Sequence, residues 1–200
     1  MSFSQLNDQD RGLLEGVAAG ERRAFEALYF SYFSRLSRFL SRFGQSRETV
    51  EEIVNDTFMV VWRRAGDFRG ASCVSTWIIG IAYRIALSSM RRHARFRSDE
   101  AATEEPSIDP AKYVEMQDWL SQGLAQLPLE QRVVLELAYR LDLAVDEIAV
   151  ITGVPAGTVK TRMHLARQKL RAYLPQLAGV ECAKGADSGA DGDTRAQRAV

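Results

Sequence analysis

From Phe25 the apolar side chains return every three or four residues, at Phe25, Leu28, Tyr29, Tyr32, Phe33, Leu36, Phe39, Leu40 and Phe43, the repeat of one helical face. Gly44-Gln45-Ser46 interrupts the series. A second one follows at Val50, Ile53, Val54, Thr57, Phe58, Val61 and Trp62, with Thr49 and Glu52 spaced like a capping box, and predicts a helix ending near Ala65-Gly66. Asp67 to Val74 contains Gly70 and small polar residues and reads as a loop leading into a helix from about Ser75 to His93.

From Ser98 to Pro110 the periodicity stops while Asp99, Glu100, Glu104, Glu105 and Asp109 accumulate beside Pro106 and Pro110, which predicts a flexible acidic linker. Helical spacing resumes at Leu120, Leu124 and Leu127, pauses at Pro128 and continues through Val134, Leu137, Ala138 and Leu141. A short helix over Asp146 to Thr152, a turn at Gly153-Val154, Pro155 in the next first turn and a helix to about Leu174 form a helix-turn-helix pattern. Beyond Gly179 almost no apolar residues remain, the composition of a disordered tail. The expected fold class is all-α: helical domains over 10–96 and 117–176, an acidic linker over 97–116, and a tail over 177–200.

Charge narrows the partners. With 26 Lys and Arg against 26 Asp and Glu the formal net charge is zero, so any nucleic-acid contact must come from a local basic face. The last helix carries one. Val159, Met163, Ala166 and Leu170 share an inward stripe, which leaves Thr161, His164, Leu165 and Gln168 outward, flanked by Lys160 and Arg171. Lys160, Arg162, Arg167, Lys169 and Arg171 have no acid within this helix to balance them. Short polar side chains between cationic flanks suit a DNA major groove, where base edges meet the middle and phosphates the rims. A second cationic stripe, Arg84, Ser88, Arg91 and Arg95, suits a single-stranded backbone.

Cys73 and Cys182 are far apart and lack nearby metal-ligand partners, so both are expected to be free thiols in a reducing cytosol, with no metal and no cofactor. Met1 to Arg11 is polar and carries Asp8 and Asp10, unlike a signal peptide, and no apolar run reaches membrane-spanning length. A cytoplasmic, soluble protein without membrane insertion is expected.

The stretches Leu127-Pro-Leu-Glu-Gln-Arg-Val-Val-Leu135, Asp146-Glu-Ile-Ala149 and Gly153-Val-Pro-Ala-Gly-Thr-Val-Lys-Thr-Arg162 resemble the fourth conserved region of sigma factors. Glu51-Glu-Ile-Val-Asn-Asp-Thr-Phe58, Asp67-Phe-Arg-Gly70 and Ser75-Thr-Trp-Ile-Ile-Gly-Ile-Ala82 resemble the second. Both regions in order, separated only by a short linker, resemble the extracytoplasmic-function group of the sigma-70 family. The resemblance implies a factor that binds core RNA polymerase, through the beta-prime clamp helices and the beta flap, and directs promoter-specific initiation.

It further implies that Glu52, Asn55 and Asp56 dock on the clamp helices, where family members usually carry Gln at the position of Asn55. Asp67, Phe68, Arg69 and Gly70, with Arg84, Ser88, Arg91 and Arg95, would take the melted minus-10 strand. Thr158, Lys160, Thr161, His164, Leu165, Gln168 and Arg171 would read the minus-35 duplex. An anti-sigma partner is implied as well. Primary members of the family carry a Trp pair where this chain has Trp77-Ile78. Two other classes stay open on the residues alone. A helix-turn-helix regulator would bind DNA without polymerase, and a metal-dependent nuclease would need carboxylates converging from several segments. Glu48, Glu51, Glu52 and Asp56 come from one helix, so no catalytic residues and no enzyme are expected.

Overall fold

A computed structural model describes residues 3–43, 45–99 and 118–177, with side-chain positions for most of them. All the regular structure among these residues is helical: α1 Phe3–Ala18, α2 Arg22–Leu40, α3 Arg47–Arg64, α4 Val74–Asp99, α5 Asp118–Ala125, α6 Leu129–Tyr139, α7 Val145–Thr152 and α8 Ala156–Leu177. Most of the expected linker (97–116) and tail (177–200), with Cys182, lies outside the described residues.

The first unit closes around the stripes that the sequence predicts. Leu28, Leu36, Phe39 and Leu40 of α2 meet Ile53, Val54, Phe58 and Val61 of α3 and Val74, Ile78, Ile79 and Ala82 of α4, all buried. The start of α3 differs from expectation. Ser46 is the N-cap, its hydroxyl accepting from the Thr49 N–H at 3.2 Å, so Thr49 lies inside the helix rather than opening a capping box. Trp62 also differs, being 38% exposed even though its ring meets that of Phe25 in a T-shaped contact at 5.2 Å.

Helix α1 has no counterpart in the expected elements. Its apolar content is small, and Leu14 and Val17 alone are fully buried among its described side chains. Polar groups complete the attachment: the Tyr32 hydroxyl donates to Asp10, whose carboxyl is pushed up by burial against the opposing effects of Tyr32 and Arg35. Tyr32 is itself pushed up, first by burial and then by Asp10. The folded chain therefore holds the Asp10 proton more tightly than the unfolded chain does. Stability from this group is present at low pH and is lost as pH rises from the ordinary carboxylate range through the raised value. Asp10→Asn keeps an acceptor for Tyr32 without a charge to desolvate. Its melting temperature is expected to equal or exceed that of the parent at pH 7, with the difference shrinking toward pH 4, as followed by circular dichroism.

The second unit packs α5 and α6 on α8, with α7 against both α6 and α8. Gly153 ends α7 at φ +70°, donating its N–H to Ala149 O at 2.9 Å, a left-handed cap that glycine adopts without steric cost. Pro155 precedes α8 rather than lying in its first turn, and its carbonyl accepts from the Thr158 and Val159 amides. At the far end α8 runs to Leu177, past the expected stop before Pro175. Proline there removes only one donor of the last turn, too late to stop the helix.

The two units are not separate bodies. Residues 78–83 of α4 are buried at every position, which one core-facing stripe would not produce. Ile78, Ile79 and Ala82 face the first core, while a methyl built on Gly80 would lie 3.8 Å from Ile151 of α7. Thr76 donates to Glu147, and Arg35 donates to the Leu141 carbonyl. Glu147 also accepts from the Ala144 N–H at 2.9 Å, so one carboxylate holds the start of α7 and touches the start of α4.

Candidate functional site

Three exposed surfaces carry the residues singled out from the sequence. On α3, Glu52, Asn55 and Asp56 are all exposed on the side opposite Ile53, Val54 and Phe58. The Tyr29 hydroxyl donates to Asn55 Oδ1 at 3.0 Å, which fixes that amide, while Glu51 is drawn aside by Arg47 at 3.0 Å. Met59, 47% exposed, continues the Glu52–Asp56 row by helical spacing, with Trp62 beyond it. Phe30 stands beside Tyr29 on α2, 74% exposed. The surface is thus acidic with an apolar flank. The sequence reading missed that flank because Trp62 fell on the inward periodicity and Met59 and Phe30 on none.

The second surface surrounds the loop before α4. The chain turns through a 3-10 segment at Ala65–Asp67, and Phe68 returns its N–H to Ala65 O at 3.2 Å. Asp67 pairs with Arg64 at 3.1 Å, both exposed, while Arg69 reaches solvent. Phe68 packs on Trp77, ring centroids 5.4 Å apart, while Ile78 points into the core. The loop's aromatic wall is therefore Phe68 with Trp77. Gly70 sits at φ +70°, where side chains are strained.

A cavity of about 340 Å³ opens here between Ala65, Gly66, Phe68, Arg69 and Gly70 and the α1 side chains, at the small end of ligand-sized pockets. Along α4, Arg84, Ser88 and Arg91 are exposed in one row. Arg95 lies on the same helix, with its side chain outside the described residues. Cys73, between loop and helix, is a free thiol pushed up by burial and then by Glu147, so it is protonated and a weak nucleophile at neutral pH.

The third surface is α8. Val159, Met163 and Ala166 are buried and Leu170 packs against the same core, so the inward stripe lies where the sequence puts it. Lys160, Thr161, His164, Leu165, Gln168 and Arg171 are exposed, and Thr158 is half-buried. The Thr161 hydroxyl donates to the Gly157 carbonyl at 3.0 Å, leaving its oxygen lone pairs and methyl outward. Two of the five cations are engaged elsewhere. Arg162 lies 3.8 Å from Glu130 of α6, and Arg167 donates to the Tyr139 hydroxyl at 2.9 Å over that ring. The outward charge thus rests on Lys160 and Arg171, which share one edge of the exposed face, and on the partly exposed Lys169 at the other edge. One acid and one tyrosine of another helix decide this, and no spacing within α8 could signal it.

No group of three or more His, Cys, Asp or Glu side chains that could hold a metal occurs among the described residues, nor is any described helix long and apolar enough to cross a membrane.

Comparison with known proteins gives a consistent picture. Residues 28–96 match the family model "Sigma-70 region 2", and residues 117–170 match "Sigma-70, region 4". The chain is 31% identical over 161 residues to the ECF RNA polymerase sigma factor RpoE of Cereibacter sphaeroides, covering 77% of this chain and 88% of that one. It is 30% identical to the ECF RNA polymerase sigma factor SigL of Mycobacterium tuberculosis, covering 82% and 96%. Among solved structures it resembles the sigma factor RpoE of Bartonella quintana, crystallised with the anti-sigma factor NepR, at 26% identity and a TM-score of 0.65 over 78% of this chain and 98% of that one.

Proposed function

The chain belongs to the extracytoplasmic-function group of the sigma-70 family, and from that membership we propose how its three surfaces share the steps of initiation. Sigma factors are not enzymes, and this one directs promoter-specific transcription by core RNA polymerase. The α3 surface, with Glu52, Asn55 and Asp56 beside Met59, docks on a basic surface of the polymerase clamp helices. The second unit rests on the beta flap. Phe68, Arg69 and Gly70 take an unstacked minus-10 base into the adjoining cavity, with Asp67 held beside them by Arg64, while Arg84, Ser88, Arg91 and Arg95 follow the strand. Helix α8 enters the minus-35 major groove with Thr158, Thr161, His164, Leu165 and Gln168 toward the bases and Lys160 and Arg171 toward phosphates. The chain acts by binding, without catalysis or cofactor, in the cytoplasm.

An anti-sigma factor is a further partner, as for the Bartonella relative. Holoenzyme formation also has to open the α4–α7 contact. Promoter elements centred about 25 base pairs apart lie about 85 Å apart along a duplex at roughly 3.4 Å per pair, farther than two docked helices allow.

The observation that carries this reading is the order of the two matched regions on one chain, with the polar side of α8 facing solvent. The test is a gel shift and run-off transcription on a promoter selected from a random library, with and without core polymerase. Weak binding by the free protein, tight binding with core and core-dependent transcripts are expected. Sequence-specific binding by the free protein that core does not strengthen would instead indicate a helix-turn-helix regulator.

A further inference from the structure

Helix α1 precedes the residues matched by either sigma-70 region, yet one edge of it holds the loop beside the cavity. Asn7, Asp10, Arg11 and Leu14 follow one another at helical spacing, and each meets a different part of the first unit. Asn7 Oδ1 accepts from the Val74 N–H at 3.3 Å, Arg11 Nη2 donates to the Gly70 carbonyl at 3.4 Å, Asp10 accepts from Tyr32, and Leu14 is buried. Arg11, Leu14, Glu15 and Ala18 then form the wall of the cavity facing Phe68 and Arg69.

The contact at Val74 answers a local deficiency. The first amides of a helix have no acceptor within it, and an N-cap Ser, Thr, Asp or Asn usually supplies one. Here Cys73 occupies that position, its carbonyl accepting from Trp77 at 3.1 Å, and a thiol is a poor acceptor. Asn7, 67 residues earlier, supplies an acceptor to the first of these amides, that of Val74. Arg11 fixes the other end of the same loop, at the left-handed Gly70.

We propose that α1 is a working part of minus-10 recognition, with Asn7 and Arg11 as positioning residues that hold the loop from Phe68 to Cys73 in its base-accepting shape before DNA arrives. Fixing a loop residue costs conformational entropy. A loop ordered during folding does not incur that cost on binding, and the saving appears as affinity for the captured base. The inference rests on assigning the minus-10 base to this loop.

The test uses the full chain assembled with core polymerase. Binding is measured to single-stranded oligodeoxynucleotides carrying the minus-10 segment of a transcribed promoter, each base replaced in turn. Asn7→Ala with Arg11→Ala is expected to lose about tenfold affinity for the preferred base, the equivalent of about one net hydrogen bond, while binding to the other bases changes little. Discrimination should therefore collapse. Core association and binding of a minus-35 duplex should stay as in the parent. Asn7→Asp and Arg11→Lys, which keep the acceptor and the donor, should restore discrimination, and a purely structural loss would not separate the bases in this way.

Phe68→Ala is the control for the loop itself. If it leaves discrimination intact, the loop assignment has failed. If it abolishes discrimination while the α1 double variant keeps it, α1 has no part in recognition and the proposal is overturned. Loss of core association by the double variant would also overturn it, since the defect would not be confined to the loop. Hydrogen exchange gives a second reading on the free protein: the Val74 amide should exchange faster in Asn7→Ala, and unchanged exchange counts against the proposal.

Discussion

Lysine at both Glu52 and Asp56 is expected to abolish association with core polymerase while leaving the helical fold unchanged. Both carboxylates project from the solvent side of α3, one helical turn apart, and neither is committed to an ion pair among the described residues. Replacing them changes the local charge from two negatives to two positives, so a basic partner that was attracted is repelled. Breaking one buried, hydrogen-bonded charge pair at an interface costs about 2–5 kcal/mol, and reversing two charges adds repulsion to that loss. The core beneath consists of Ile53, Val54 and Phe58, which the substitutions do not touch. A pull-down with core polymerase and a far-ultraviolet circular dichroism spectrum check the two halves of the prediction. Retained binding with an unchanged spectrum would remove α3 as the docking helix.

Changes on α8 are expected to fail in two distinguishable ways. Lys160→Ala and Arg171→Ala should each weaken holoenzyme binding about tenfold on every promoter, and each should lower the slope of log affinity against log salt by about one. His164→Ala and Thr161→Ala should change preference at one or two minus-35 positions, by about 1–3 kcal/mol per base pair. The reason is positional. The buried stripe of Val159, Met163 and Ala166 fixes the rotation of the helix, which leaves His164 and Thr161 nearer the centre of the exposed face and Lys160 and Arg171 along one edge of it. Arg162 and Arg167, committed to Glu130 and Tyr139, should have smaller effects on DNA than their charge suggests. Binding to all single-base variants of the upstream element at two salt concentrations decides the matter. Uniform losses for His164 and Thr161 together with altered preference for Lys160 and Arg171 would mean that the helix is turned the other way.

Helix periods, breaks and the polar side of α8 were legible in the sequence because they are local properties. A side chain three or four positions from its neighbour shares its face whatever lies opposite, so Leu28 through Phe43 and Val159 through Ala166 point inward as their spacing requires. The exposure of Glu52, Asn55 and Asp56 follows from the same spacing, as the other side of a buried stripe, whereas only the family resemblance singled them out as a docking site. Contacts between segments were not legible. Asn7 meets Val74, Arg11 meets Gly70, Thr76 meets Glu147 and Arg162 meets Glu130 only after the chain has folded, and nothing near either member announces the other.

Helix α1 shows the division most clearly. Its apolar residues are too few to mark a core-facing helix, and beside Leu14 and Val17 it meets the first unit through Asp10 on Tyr32 and Asn7 on Val74. The run Ile78-Ile79-Gly80-Ile81-Ala82-Tyr83 did carry a signal, since a helix apolar on all sides must be covered on all sides. What covers it, helix α7 of the other unit, is a matter of tertiary structure. Burial demands a partner without specifying which one, because the hydrophobic effect has no direction, whereas hydrogen bonds and ion pairs require particular atoms that only the assembled fold brings within reach.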